Sequence, residues 1–202
     1  MDPRSLPPIE LRATDFAFGD RNLGAVEANI EKVDEGLVAT SIMAKDATFE
    51  VQAGGRWVVE PDDSLGSRSH VSGALRSTNV TETMRRLNYQ PGIDSDSMII
   101  DFDVSWSGSP RSDFFDSLDG SVAVAFAEGQ LEQVEPGAGR MFGLMSIAAL
   151  PRRLSLDFTD VFNKGFGFDQ IRGTFRIEDG IINTCDLALE GPGFIEVLTP
   201  NG

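Results

Sequence analysis

The sequence predicts a mainly β protein built as a long, twisted antiparallel sheet, with two or three short helices capping or lining it. Three observations carry this expectation. Apolar and polar residues alternate with a period of two along successive segments, as in strands with one buried face. Gly, Asp and Asn punctuate those segments at hairpin spacing. Stretches with helical spacing are few and short, too few to cover a sheet of roughly ten strands at about five residues each.

Taken in chain order, the strand candidates are Ile9–Thr14, Leu23–Val33, Leu37–Lys45, Thr48–Ala53, Trp57–Glu60 and Arg68–Ser77. The clearest follows at Met98–Trp106. Met98, Ile100, Phe102, Val104 and Trp106 point one way there, and Asp101, Asp103 and Ser105 the other. Ser121–Ala127 repeats the pattern with Val122, Val124 and Phe126. Leu154, Leu156 and Phe158 alternate with Ser155, Asp157 and Thr159, and Phe175 and Ile177 with Thr174, Arg176 and Glu178. Turns are expected at Glu35-Gly36, Gly54-Gly55, Asp119-Gly120, Glu128-Gly129 and Asp179-Gly180. Three segments read as helices: Thr81–Leu87 behind an Asn79 N-cap, Arg111–Leu118 after Pro110, and Gly139–Leu150 stopped by Pro151. "VDEGLVAT" at Val33–Thr40 is echoed by "IEDGIINT" at Ile177–Thr184, which favours an antiparallel meander over βαβ units.

Composition narrows the function. The 202 residues carry 32 acidic and 17 basic side chains, a net charge of −15. That balance argues against nucleic acid and against an anionic membrane surface, both of which select basic patches. It leaves neutral apolar ligands open. Cys185, the one cysteine, forms no intrachain disulfide, and His70, the one histidine, leaves no room for a multi-His metal site. No run reaches the roughly 18–20 apolar residues of a membrane-spanning helix. Both ends read as cuts, so residues 1–202 are expected to be one continuous β segment of a longer polypeptide.

Candidate chemistry is sparse. Asp101 and Asp103 share a strand face with Cα atoms roughly 6–7 Å apart, a spacing open to glycosidase-type acid–base work but usual for a solvated strand face. His70 lies beside Ser69 and Ser72, yet strand neighbours rarely converge into a dyad. "GFGF" at Gly165–Phe168 lacks the lysine and helix of a phosphate loop, and Gly137–Arg140 reads as a helix entry. Arg152 and Arg153 follow a predicted helix end and are candidates for capping it or for contacting a headgroup. No catalytic residue, metal or cofactor is expected. What stands out is one-sided apolar strand, which a second sheet, helices, a partner or lipid must cover.

From Trp106 to Ile195 the sequence resembles the C-terminal part of the YhdP family of AsmA-like envelope proteins. The resemblance rests on the W-x-G-x-P…F…L-D-G opening (Trp106, Gly108, Pro110, Phe115, Leu118, Asp119, Gly120) and on "EPGAGR" and "GLMSIAALPRRLSLDF" (Glu135–Arg140, Gly143–Phe158). "DVFNKGFGFDQIRGTFRIEDG" (Asp160–Gly180) and "LEGP" (Leu189–Pro192) complete it. It implies a sheet curled into an open groove with an apolar floor, in a periplasmic protein anchored to the inner membrane by a helix this chain lacks. It implies passage of phospholipid between inner and outer membranes without covalent chemistry. The expected partners are phospholipid acyl chains, the rest of the parent polypeptide and an envelope protein. The apolar floor candidates are Ile100, Phe102, Val104, Trp106, Val122, Val124, Phe126, Leu154, Leu156, Phe158, Phe175 and Ile177. The rival reading is a closed β scaffold or protein-binding module with a fully packed core.

Overall fold

The alternating segments pair with their neighbours in chain order. The computed structural model describes residues 2–60, 66–90, 92–110, 114–131, 166–184, 186–191 and 194–198. Its strands are β1 (Ile9–Phe18), β2 (Arg21–Val33), β3 (Gly36–Lys45), β4 (Phe49–Val59), β5 (Ser67–Ser77), β6 (Ile93–Ser107), β7 (Asp119–Leu131), β8 (Phe166–Glu178), β9 (Ile181–Thr184), β10 (Leu187–Gly191) and β11 (Phe194–Leu198). They form one 11-stranded sheet in the order β1-β2-β3-β4-β5-β6-β7-β8-β10-β11, with β9 also on β8. Each pairing is antiparallel, and β1 and β11 do not pair, so the sheet is open rather than a barrel.

Turn chemistry explains the hairpins. Glu178 pairs with Ile181 across Asp179-Gly180, whose φ values of 48° and 73° are both left-handed. A two-residue type I′ turn demands that, and it matches the strand twist. Val33 pairs with Gly36, so the β2–β3 loop is Asp34-Glu35, one residue earlier than Glu35-Gly36. The echoed segments therefore turn at different positions. Register shifts between Ala13 and Phe16 in β1 and between Ala39 and Ile42 in β3 mark bulges, which sharpen local twist.

Two expected turns are strand interior, and a third opens a strand. Gly54-Gly55 lies inside β4, so the separate strands Thr48–Ala53 and Trp57–Glu60 are one element. The ladder runs straight through it, with Ala53 on Gly73, Gly54 on Ser72 and Gly55 on Val71. Gly55 answers close approach instead of a turn: a Cβ there would stand 2.5 Å from the His70 carbonyl oxygen. Glu128-Gly129 lies inside β7, where a Cβ on Gly129 would stand 2.9 Å from Cζ of Phe168. Asp119-Gly120 opens β7 after a 3₁₀ turn.

Helices are short, as expected. α1 (Val80–Arg86) carries the predicted N-cap, with the Glu82 amide donating to Asn79 Oδ1 at 2.9 Å. The expected helix at Arg111–Leu118 is, among the described residues, a 3₁₀ turn at Phe115–Ser117. The reason is local, because Leu118 is already extended at φ −79°, ψ 123°. A further 3₁₀ turn, Pro3–Ser5, precedes β1. The helix expected at Gly139–Leu150 lies outside the described residues. No described helix is long and apolar enough to cross a membrane.

Buried apolar side chains gather in two clusters. One joins Val80, Ile93, Met98, Val124, Phe126, Phe168, Ile171 and Phe175. The other joins Trp106, Leu118 and Ile177.

Candidate functional site: an apolar sheet face between two rims

Directly opposed residues in an antiparallel ladder point to the same face, so the register can be followed from strand to strand. One row runs Leu11, Ala28, Ile42, Ala53, Gly73, Phe102, Val122, Phe175. The next runs Ala13, Val26, Ala44, Val51, Leu75, Ile100, Val124, Gly173. Flanking rows are Ile30, Ala39, Gly55, Val71, Val104, Gly120, Ile177 on one side and Phe49, Ser77, Met98, Phe126, Ile171, Leu189 on the other. Apolar or small side chains thus form a band across the strands, along the hydrogen-bond direction.

Burial varies along this band. Ile42, Val51, Val71, Leu75, Ile100, Phe102, Val104 and Val122 are half-buried. Met98, Phe126, Ile177 and Trp106 are buried, and so are Val26, Ala44, Val124 and Phe175 within the two central rows. Gly73 shows how the strands close on this face. A Cβ there would lie 2.8 Å from Cβ of Ala53 and 2.3 Å from the Gln52 carbonyl oxygen. Opposed Cβ atoms ordinarily stand about 4.5–5.5 Å apart. The backbones of β4 and β5 therefore converge on the apolar side, and only glycine fits the crease.

Each strand end carries a fastened rim. At one, α1 is riveted by hydroxyls: Thr83 Oγ1 lies 2.9 Å from Ser77 Oγ and donates to the Thr48 carbonyl at 3.3 Å, while Thr81 Oγ1 donates to Asp94 at 2.8 Å. Arg86 reaches the β3–β4 turn, 2.9 Å from Asp46, and the Arg21 guanidinium lies 5.6 Å from the Tyr89 ring centre. α1 and the chain after it thereby run along this rim from β6 to β2. At the other rim, Trp57 Nε1 donates to Ser67 Oγ and Trp106 Nε1 to the Ser109 carbonyl, both at 3.0 Å. The Trp106 and Phe114 rings pack with centres 5.0 Å apart.

Polar groups take the opposite face. Arg12, Glu27, Gln52 and Asp101 share one of its rows with Met43, Ala74 and Ala123. Arg68 donates to Ser105 Oγ at 2.7 Å and to Asp119 at 3.0 Å, so it reaches over β6 to β7. Asp119 also accepts the Asp179 amide at 3.0 Å. That backbone bond first, and Arg68 second, hold its carboxyl below the usual range. At the interruption between β9 and β10, the Thr174 amide of β8 donates to Asp186 at 2.7 Å, a bond that lowers the Asp186 carboxyl likewise.

The face assignments place each candidate. Ile100, Phe102, Val104, Trp106, Val122, Val124, Phe126, Phe175 and Ile177 all lie on the apolar face of β6–β8. Leu154, Leu156, Phe158, Arg152, Arg153 and Cys185 lie outside the described residues. The β3–β5 part of the apolar face is not among the candidates, although its signal is legible: Val71, Gly73 and Leu75 alternate with His70, Ser72 and Ala74. Asp101 and Asp103 are exposed on the polar face. His70 Nε2 lies 2.9 Å from Asp103 Oδ1. Ser69 points to the other face, buried, its hydroxyl donating to the Gly108 carbonyl at 2.8 Å. No His, Cys, Asp or Glu cluster of three or more that could hold a metal ion occurs among the described residues.

Two comparisons bear on this arrangement. A family model described as "YhdP protein" matches residues 1–194. The Escherichia coli K12 protein named "Intermembrane phospholipid transporter YhdP" is 28% identical over 189 residues, covering 93% of this chain. The chain spans 15% of that relative's length. No solved structure matches.

Proposed function

The chain belongs to the YhdP family, and from that premise we propose that it forms a stretch of apolar floor along which phospholipid passes between inner and outer membranes. It would do so in the periplasm, within a parent polypeptide anchored to the inner membrane. The observation that carries the reading is the band of apolar rows crossing β1–β8 in register, half-buried at Ile42, Val51, Leu75, Ile100, Phe102 and Val122 and bounded by α1 and the Trp57–Trp106 rim. The name of the Escherichia coli relative supports it.

The physics asks little beyond this. Acyl chains are held by desolvation, worth about 25 cal/mol per Å² of apolar surface, and need no directional bonds. A floor of Val, Ile, Ala and Phe supplies contact without a fixed site, so a chain moves from row to row with similar energy at each step. The headgroup stays in water at the open side, because burying a phosphate without a partner costs several kcal/mol. The lipid would travel across the strands, since the apolar rows continue from strand to strand along the hydrogen-bond direction. No bond is made or broken.

Photocrosslinkers test the assignment. Placed at Phe102 or Val122 in the intact protein in cells, they should capture phospholipid, while one at Asp101 on the opposite face should not. A folded protein that captures no lipid from Phe102, Val122 or Val71 would sink the groove assignment and leave a closed scaffold in its place.

A further inference from the structure

We propose that the tip built by the Phe114–Leu118 turn and the β8–β9 hairpin docks a protein partner that presents an apolar anchor flanked by Lys or Arg, the chemistry of a basic amphipathic helix. This goes beyond lipid passage and stands on different residues. Phe115 and Ile181 are 57% and 65% exposed, among the most exposed large apolar side chains described. Their turns abut: the Gly180 amide donates to the Leu118 carbonyl at 2.9 Å, and a Cβ on Gly180 would stand 2.3 Å from the Phe115 carbonyl oxygen.

The tip is rigid rather than frayed. The Phe115 ring stacks on Phe114 with centres 4.7 Å apart, and Phe114 packs in turn on buried Trp106. Asp119 ties the hairpin to β5 through the Asp179 amide and Arg68. Apolar side chains held this way lose little freedom on binding, which suits them to anchor an interface.

Charge selects the partner. Asp116 follows Phe115, Asp179 sits in the hairpin turn and Glu178 pairs with Ile181, all exposed and none in an ion pair with a described residue, against one exposed cation, Arg176, two pairs further along the hairpin. Asp119 is already taken by Arg68. An anionic bilayer is repelled by such a rim, since membrane surfaces attract basic segments. A cationic, apolar peptide face is steered toward it.

The experiment uses the intact protein with p-benzoylphenylalanine in place of Phe115 or Ile181. Three probes are offered: a synthetic leucine/lysine amphipathic helix, the same peptide with glutamate for each lysine, and phosphatidylethanolamine/phosphatidylglycerol vesicles. The lysine peptide should crosslink at both positions. Its affinity should fall roughly tenfold in a Phe115→Ser/Ile181→Ser variant, the loss expected of a removed anchor. It should also weaken in Asp116→Asn/Asp179→Asn and at raised salt. All four positions are exposed, so an unchanged unfolding midpoint confirms that these variants fold. Equal binding to the apolar variant, equal crosslinking by the glutamate peptide, or lipid captured at 115 in place of peptide would overturn the proposal.

Discussion

Gly73 shows how much one side chain can decide. A β-carbon there meets the Gln52 carbonyl oxygen and the Ala53 backbone, neither of which can swing aside. Gly73→Val is therefore expected to destabilise by about 1–3 kcal/mol, read from the urea midpoint, because it overpacks a closed contact. Gly66, with nothing within 4 Å of a β-carbon, lacks that clash and is held to glycine by its φ of 75° alone. At Asp119 the consequence is a pH dependence. Its folded-state pKa lies below the unfolded value, so its contribution is present above the ordinary carboxylate range and is lost as pH falls through the depressed value. Stability should decline below about pH 4, and Asp119→Asn should flatten that acid limb in a urea titration. Exposure keeps the effect small, since Asp119 is 40% and Arg68 39% exposed.

Among the elements, α1 depends most on individual polar contacts. Its seven residues are too few for a helix to persist unaided, so the cap and rivets hold it. Asn79→Ala should cost about 1 kcal/mol. Thr83→Val leaves the Ser77 hydroxyl without its 2.9 Å partner inside the fold and should cost about 1–3 kcal/mol, with faster amide exchange confined to Val80–Tyr89. This helix was legible because an N-cap and a short helical run coincide. The period of two along β6 and β7 was equally legible, and it placed Ile100, Phe102, Val122 and Val124 on one face. Glycine was the ambiguous letter. It marks a left-handed turn at Gly180 but a close approach between strands at Gly55 and Gly129, and composition alone does not distinguish the two uses. The apolar face of β3–β5 is harder to read for a related reason. Ala53, Gly55 and Gly73 carry little apolar surface of their own and acquire meaning only from the register that lines them up.

The whole molecule separates its charge from its apolar surface by face. Among the described residues, carboxylates sit on the polar side and the turns, which lets a chain of net charge −15 keep this band free of charge. Placing a carboxylate in that band should block lipid passage without unfolding the protein. Ala53→Asp is the chosen variant, being half-buried and small, and the expected result is loss of lipid capture at Phe102 in a protein that still unfolds cooperatively, with a urea midpoint lowered by the desolvation of the carboxylate. The meander has a further consequence, one concerning biogenesis. From β1 to β6 each strand bonds only to strands adjacent in sequence, so no early strand waits for a distant partner. Local pairing closes short loops and keeps folding fast. A chain threaded N-terminus first through a membrane pore can then fold hairpin by hairpin as it emerges, each new strand adding to an edge already formed. The edge away from β1 is at every moment the growing one, and the next segment to emerge is the one that covers it.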